Sequence, residues 1–487
     1  MTDRRFFREL AAAAGIYYRR LAPLETAPRA AVRAEQARRL DDLLAHACRT
    51  SRFYRRHWGV QDAAAAPRAA DLPHLPPVTK ALLMERFDDV VTDPGLRRAG
   101  VRAELERRLA SAWESGTALP HSPRAEHLPD YRFVVTSGTT GEPAVFPYHR
   151  TEWAAGMALI VRSASFALGG RGRAGALALL RAAVTRPRIA GIATQHPMHV
   201  STQLTSSFSG GGARGLRGLR LSANVPLAEQ VTVLNTYAPQ ILGGYPSILG
   251  LLAGEQLAGR LAIRPRLVFS GGETVTAGTR RRVRDAWGIE MFDFYGLTET
   301  LIIAGECAAH AGLHIYEDAA VIEVVKENGA ATLPGELGAG LVVTNLFNRT
   351  FPIIRYEVSD LAAMTLEPCA CGLPFARLVH LAGRREEILE LAAPDGRSVS
   401  VHPFVIETPL EEDRGVRSFT LRREDGGLRI RIEPAPDADA ATLARRLEAA
   451  VRDALAPFKL EAADVRVEIV AGATPERTAT GKRLRVT

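Results

Sequence analysis

From residue 130 onward the chain repeats one pattern: a short apolar stretch, most often ending in glycine or small residues, then a segment long enough for a helix. YRFVVTS, ALALLRAAV, PQILGGYP, PRLVFSGGE and IEMFDFYG each read as a buried strand. Strands separated by helices predict parallel pairing with crossover connections, and ligands of such sheets bind at the carboxyl ends of the strands. Three of these ends carry polar or glycine clusters: Thr136 to Gly141, Gly271 to Glu273, and Tyr295 to Glu299. The pattern predicts that they converge.

The first of these ends, TSGTTGEP, has the composition of a phosphate loop. Glycine lets the main chain approach closely, and hydroxyls and amides face the phosphate oxygens. A nucleotide-hydrolase loop closes with Gly-Lys-Ser/Thr, whose lysine neutralises the phosphates. Here Gly141 is followed by Glu142 and Pro143, so the cation must come from elsewhere. Only four lysines stand among the 62 basic residues: Lys80, Lys326, Lys459 and Lys482.

The formal charge of +8 raises the question of nucleic acid, but the arginines are spread over the whole chain and form no block. A basic solvated surface is the expectation, with no specific nucleic-acid partner. No apolar run reaches the ~18 to 20 residues of a membrane span. The alanine run after the N-terminal arginines is hemmed in by Glu9 and Arg19, which argues against an export signal. Four cysteines are too few for a disulfide framework, and a reducing cytoplasm fits them.

Residues 31–57 carry Leu40, Leu43, Leu44 and Ala47 at helical spacing and predict a packing helix; Ala63 to Pro77 reads as a linker, and Thr79 as the cap of a short helix. A β-rich region follows residue 312 and ends at GRREEILEL and the turn PDGRS. Beyond it, SFTLRRE, LRIRIEP and VRVEIVA surround the helix DAATLARRLEAAVRDAL in a small α+β domain. The fold class expected is therefore α/β: a large domain over 1–383 with mixed and parallel sheets and packed helices, helical over about 1–125, and a small mobile domain over 384–487. SFSGGGARGLRGLR reads as a mobile basic connection.

Cys307, His310, His314, Cys369 and Cys371 suggest a second site. A Cys-x-Cys pair with a distant cysteine and histidine supplies the four soft or borderline ligands that tetrahedral zinc prefers, and with no chemistry assigned to it this would be a closed structural site.

In order along the chain, TSGTTGEP, FYGLTET, RYEVSD, GRREEI and RTATGKRLR resemble the motif set of the acyl-adenylate-forming superfamily over about residues 30–487. FYRRHW, the GGE strand end, ECAAHAGLHIYED and CACG resemble its phenylacetate-CoA ligase branch. The resemblance implies an AMP-forming ligase with ATP, Mg2+ and coenzyme A as cofactors. A small, aromatic carboxylic acid would be adenylated with release of pyrophosphate, and its acyl group passed to coenzyme A; the alternative acceptors are a carrier protein, an amine or another nucleophile. A homodimer is the further expectation.

The resemblance also implies roles. Thr136, Ser137, Gly138, Thr139, Thr140 and Gly141 would wrap the β- and γ-phosphates, with Gly272 and Glu273 also at the nucleotide. Tyr295 would flank the adenine with Gly296 also at the nucleotide, Thr298 contact the α-phosphate and Glu299 help hold magnesium, an oxygen-seeking cation. Asp360 would accept from the ribose hydroxyls, with Arg384 nearby. Lys482 would supply the missing cation from the C-terminal domain, which would turn about a hinge at Glu386, where aspartate is commoner in the family. Tyr245, Pro246, Ser247, His149 and His199 would line the acid pocket, with His196 and Ser201 close by. Of the two histidines, His314 matches the zinc-ligand context better than His310.

Overall fold

A computed structural model describes residues 11–114, 128, 130–136, 143–175, 177, 185–194, 196–206, 217–393, 397–424, 427–435, 437–460 and 464–470. The chain forms two compact units: residues Met1–Arg220 with Phe292–Leu381, and residues Leu221–Met291 with Ala382–Thr487.

The first unit opens with helices. Leu40, Leu43, Leu44 and Ala47 are buried on one face of the helix Arg29–Thr50, as their spacing predicts. The expected single helix over 31–57 is broken at Ser51, whose backbone is extended and whose Oγ accepts from Tyr54 N (3.4 Å) to start a second helix, Arg52–His57. Ala63 to Pro77 contains two short 3-10 turns, Ala63–Ala65 and Ala69–His74. Thr79 caps the helix Lys80–Glu85 through Leu82 N (3.2 Å).

Tyr131–Val135 is a strand, but it pairs antiparallel with Val145–His149 in a two-stranded hairpin, Tyr131 opposite His149 and Val135 opposite Val145. The expected parallel pairing fails here because the next strand follows after a loop too short for a crossover. Most of ALALLRAAV lies outside the described residues; the next described strand is Arg188–Ala193. Met291–Leu297, Leu301–Glu306, Leu313–Ile315 and Arg377–Arg384 form an antiparallel run. Ala320–Val325, Gly340–Asn345 and Tyr356–Val358 make a three-stranded antiparallel sheet.

In the second unit two strand pairs run parallel. Ile241–Gly244 and Leu267–Gly271 run parallel with the helix Pro246–Leu257 between them. Gly427–Pro434 pairs antiparallel with Val416–Glu424 and parallel with Val465–Ile469, again across a helix, Ala440–Leu455. That helix buries Leu443, Leu447, Val451 and Leu455, a stripe at four-residue spacing, and is capped by Asp439, which accepts from Thr442 N (2.9 Å). Among the described residues no helix is long and apolar enough to cross a membrane.

Candidate functional site

The hairpin holds the ends of the glycine- and threonine-rich loop. Thr136 N donates to Ala144 O (3.0 Å), and Ala144 N donates back to Thr136 Oγ1 (3.0 Å). Both ends of the loop are thus closed on each other by one residue whose side chain can accept. Ser137, Gly138, Thr139, Thr140 and Gly141 lie outside the described residues. Beside the loop, Val135 N donates to Met198 O (2.9 Å), which lays the segment containing His199 along the strand end.

The turn after Tyr295 is tethered on three sides. Tyr148, from the returning hairpin strand, donates its phenol to Glu299 O (2.6 Å), with Thr298 O at 3.2 Å. Asn345 Nδ2 donates to Thr300 O (3.2 Å). Tyr356 OH donates to Glu299 Oε1 (2.8 Å), and Tyr295 OH donates to Asp360 Oδ2 (2.6 Å). Glu299, Tyr148 and Tyr356 are buried, so the carboxylate is held among hydrogen bonds in a largely water-free setting. Burial, with the negative charges of Glu299 and Glu152 adding, pushes the Tyr148 phenol well above its ordinary value and keeps it a donor. Thr298 and Glu299 are the two residues of this turn that the sequence singled out; Tyr148 and Asn345 carried no sequence signal, and Tyr356 stood unremarked inside RYEVSD.

Gly296 is required by a close approach. A bulge separates Tyr295 from Gly296 in the pairing with Leu301–Glu306, and a Cβ at 296 would fall on the Leu301 carbonyl and the Ile302 Cα. Both are backbone and cannot step aside. Gly296→Ala is expected to cost about 1–3 kcal/mol in urea unfolding, the usual penalty for forcing atoms into a packed interior.

In the second unit, Ser247 N donates to Glu273 Oε2 (3.1 Å), which joins the Tyr245-Pro246-Ser247 turn to the end of the strand Leu267–Gly271. Ser247 lies in the first turn of the helix Pro246–Leu257, where exposed amides and the helix dipole favour an anion. Gly272 has φ of 82°, a conformation glycine adopts without strain. Tyr245 is buried; Glu273 borders a small cavity with Thr274, Thr276, Glu407 and Glu411. At the hinge motif, Arg384 N donates to Glu387 Oε2 (3.2 Å) and Glu386 sits within the 3-10 turn Arg385–Glu387. Lys482 lies outside the described residues.

Two histidines have assigned work in the fold. His149 starts the helix Arg150–Ala167: its Nδ1 is 2.8 Å from Thr151 Oγ1, its backbone N donates to Glu152 Oε2 (2.7 Å), and its ring stands edge-on to Tyr131. His199 is buried, with Nδ1 2.7 Å from Ser201 Oγ. Burial pushes His196 below its ordinary value.

Cys307, His314, Cys369 and Cys371 meet in the first unit, with all four ligand atoms within 4.8 Å of one another. Cys307 and Cys369 sulfurs are 3.8 Å apart, and Cys371 Sγ is 3.3 Å from His314 Nε2. Tetrahedral zinc with Zn–S bonds of about 2.3 Å places its sulfurs roughly 3.8 Å apart, so the donor set fits that ion in type and the Cys307–Cys369 pair fits it in spacing. Strand register brings the residues together: His314 pairs with Gly305 on one side and Arg377 on the other, next to Cys307 and the Cys369–Cys371 loop. His310 turns away in a positive-φ conformation, with Nδ1 3.3 Å from Glu306 Oε2 and its ring on Phe292. A hydrogen bond with Cys307 first, then His314 and Leu373 N, pulls Cys371 down to about 3 against burial, while the same bond and burial push Cys307 up. A thiolate at Cys371 is the form a metal binds.

Residues 36–324 match the family model described as AMP-binding enzyme. The chain is 27% identical over 398 residues to a phenylacetate-coenzyme A ligase of Thermus thermophilus, covering 80% of this chain and 77% of that one. It is 29% identical over 294 residues to a phenylacetate-coenzyme A ligase of Pseudomonas putida, covering 57% of this chain and 58% of that one. Its fold is that of 2-hydroxyisobutyryl-CoA ligase in the postadenylation state with R3-HIB-AMP, at a TM-score of 0.71 and 21% identity, covering 95% of this chain and 90% of that chain. With more than half of its length matched by the family model, the chain belongs to the AMP-binding enzyme family and is similar, within it, to phenylacetate-coenzyme A ligases.

Proposed function

We propose that the chain is an AMP-forming acid–coenzyme A ligase for a small, aromatic carboxylic acid. The observation that carries this reading is the family match over residues 36–324, a span that takes in both the loop at Thr136 and the tethered turn at Tyr295–Glu299. In the first step a carboxylate oxygen attacks the α-phosphorus of ATP, a P–O bond forms, and pyrophosphate leaves. In the second the coenzyme A thiol attacks the acyl carbon, loses its proton to solvent, and AMP leaves with the bonding pair. Both partners of the first step are anions, so the protein's task is positioning and charge neutralisation.

Each residue has a task in that chemistry. Thr136 through Gly141 give hydroxyls and amides to the β- and γ-phosphates. Thr298 meets the α-phosphate, Asp360 the ribose hydroxyls with Arg384 near, and Tyr295 the adenine, with Gly272, Glu273 and Gly296 also at the nucleotide. Glu299 would hold a magnesium ion, which supplies neutralising charge to the phosphates. Tyr245, Pro246, Ser247, His149 and His199 are the residues proposed for the acid. Residues 384–487 act as a lid that pivots at Glu386 and brings Lys482 between carboxylate and α-phosphate. The Cys307, His314, Cys369 and Cys371 cluster serves a structural zinc.

ATP–pyrophosphate exchange against a panel of aryl and alkyl acids tests the reaction, followed by detection of the acyl-CoA thioester. Acid-stimulated exchange is expected, greatest for an aryl acid; no stimulation by any acid would falsify the reading. Purified protein is also expected to hold about one zinc per chain by elemental mass spectrometry. Cys371→Ser should lower the zinc to under about a fifth of that, since one of the four ligands of the tetrahedral site is lost. Equal zinc in both proteins would remove the metal assignment.

A further inference from the structure

Two segments of the first unit share a spacing: Tyr295 stands four residues before Glu299, and Tyr356 four before Asp360. Their hydrogen bonds cross. Tyr295 donates to Asp360 of the second segment (2.6 Å), and Tyr356 donates to Glu299 of the first (2.8 Å). We infer that the two tyrosines form a reciprocal clamp, each positioning the other segment's carboxylate for nucleotide binding. The inference rests on the roles proposed above for Asp360 at the ribose and Glu299 at the metal, and assigns Tyr295 and Tyr356 as positioning residues through their phenol oxygens.

The geometry suits positioning. A phenol donating to a carboxylate makes a short, charge-assisted bond, and 2.6 Å lies within the range of such bonds. Fixing one carboxylate oxygen restricts the rotation of the group and with it the directions open to the other. Glutamate has three side-chain torsions to restrain, and ordering it beforehand removes that cost from ligand binding.

The backbones behind the phenols are fixed independently. Tyr356 is paired with Val343 on one strand edge, while Val78 N donates to Arg355 O (2.8 Å) and Glu357 N donates to Val78 O (2.9 Å) on the other. Arg355 adopts φ of 52° and its guanidinium reaches Glu323 and the Pro73 carbonyl, so the chain entering Tyr356 is held by its neighbours. Tyr295 lies at the bulge that the close approach at Gly296 enforces. Both rings are thus carried on backbone held by other contacts, so deleting one phenol oxygen removes its bond to the carboxylate and keeps the ring.

Because the two bonds end on carboxylates with different tasks, their loss has different signatures. Calorimetric titration of the full-length protein with ATP and with 2′-deoxy-ATP, in saturating magnesium and in EDTA, yields two ratios: ribose preference and metal enhancement. Tyr295→Phe is expected to reduce the preference for ATP over 2′-deoxy-ATP by about tenfold and leave metal enhancement near wild type, and Tyr356→Phe to do the reverse; tenfold is the lower end for a hydrogen bond to a charged group. Weaker binding of every ligand with both ratios intact is what a merely structural role gives, and it overturns the clamp. Should Tyr356→Phe fail to fold, the ribose ratio of the half-buried Tyr295→Phe decides by itself. Titration requires no acid substrate, so the clamp is judged separately from the reaction. Wild-type protein that binds neither nucleotide overturns the nucleotide site and the clamp together; wild-type protein that binds both, with variants at wild-type ratios, overturns the clamp alone.

Discussion

Lys482→Ala is expected to lower acid-dependent pyrophosphate exchange at least ~100-fold, the loss that follows removal of one preorganised charge-stabilising group from a polar transition state. In the loop, Gly141 is followed by Glu142 and Pro143, so no lysine there neutralises the phosphates. A carboxylate and a triphosphate repel, and one ammonium between them lowers the cost of their approach. Lysine suits a cation that enters and leaves, being a compact charge on a flexible stem. If the lid then withdraws it, the second half-reaction does not use it. Thioester formation from a preformed acyl-adenylate and coenzyme A should therefore stay within about threefold of wild type while exchange collapses, a split that a binding defect common to both steps would not give. Exchange near the wild-type rate in Lys482→Ala would remove the lysine from the mechanism.

What was legible in the sequence follows a physical division. Thr136, Gly296, Glu299 and Asp360 stand in short segments whose residue types are dictated locally, by backbone approach and oxygen chemistry, so the segments could be read one at a time. The C-terminal strands and the helix Ala440–Leu455 were legible for the same reason, because a stripe of Leu443, Leu447, Val451 and Leu455 has one stable use. Tyr356 on Glu299 and Tyr148 on the Glu299 carbonyl were not, since both depend on pairing between segments 57 and 151 residues apart. Between His310 and His314 the residue type decided nothing and the sequence context favoured His314; the register of His314 with Gly305 and Arg377 is what puts it among the cysteines. The hairpin Tyr131–His149 was misread as one strand of a parallel sheet because an apolar strand looks alike in either pairing; the short return to Val145 was the signal to weigh.

Arg162 shows the same limit and carries the second large expected effect. In a chain with arginine throughout, nothing in RTEWAAGMALIVRSASFA marks Arg162 as interior, yet its side chain is fully buried. Its guanidinium grips Asp318 with two bonds (2.6 and 2.9 Å), and reaches Glu25 Oε1 (3.1 Å) and Leu21 O (3.1 Å). Glu25 in turn accepts from Gly172 N (2.7 Å) and Tyr17 OH (3.2 Å), so one cation ties the N-terminal segment to the turn beyond Tyr316. Arg162→Ala leaves two buried carboxylates without their counter-charge and is expected to cost about 3–5 kcal/mol in urea unfolding, the usual result of breaking a buried pair from one side. Arg162→Met combined with Glu25→Gln and Asp318→Asn should recover most of that loss, because no charge is then stranded. Glu25 also adds a pH signature: burial raises it above the ordinary carboxylate value despite Arg162, so the folded chain binds this proton more readily than the unfolded chain. Its contribution to stability is then fully present below the unfolded value of about 4.5 and is lost as pH rises through the raised one. Wild type should accordingly gain on Glu25→Gln as pH is lowered from neutral, and a difference that shrinks or stays constant would mean that the arginine, rather than burial, governs this carboxyl group.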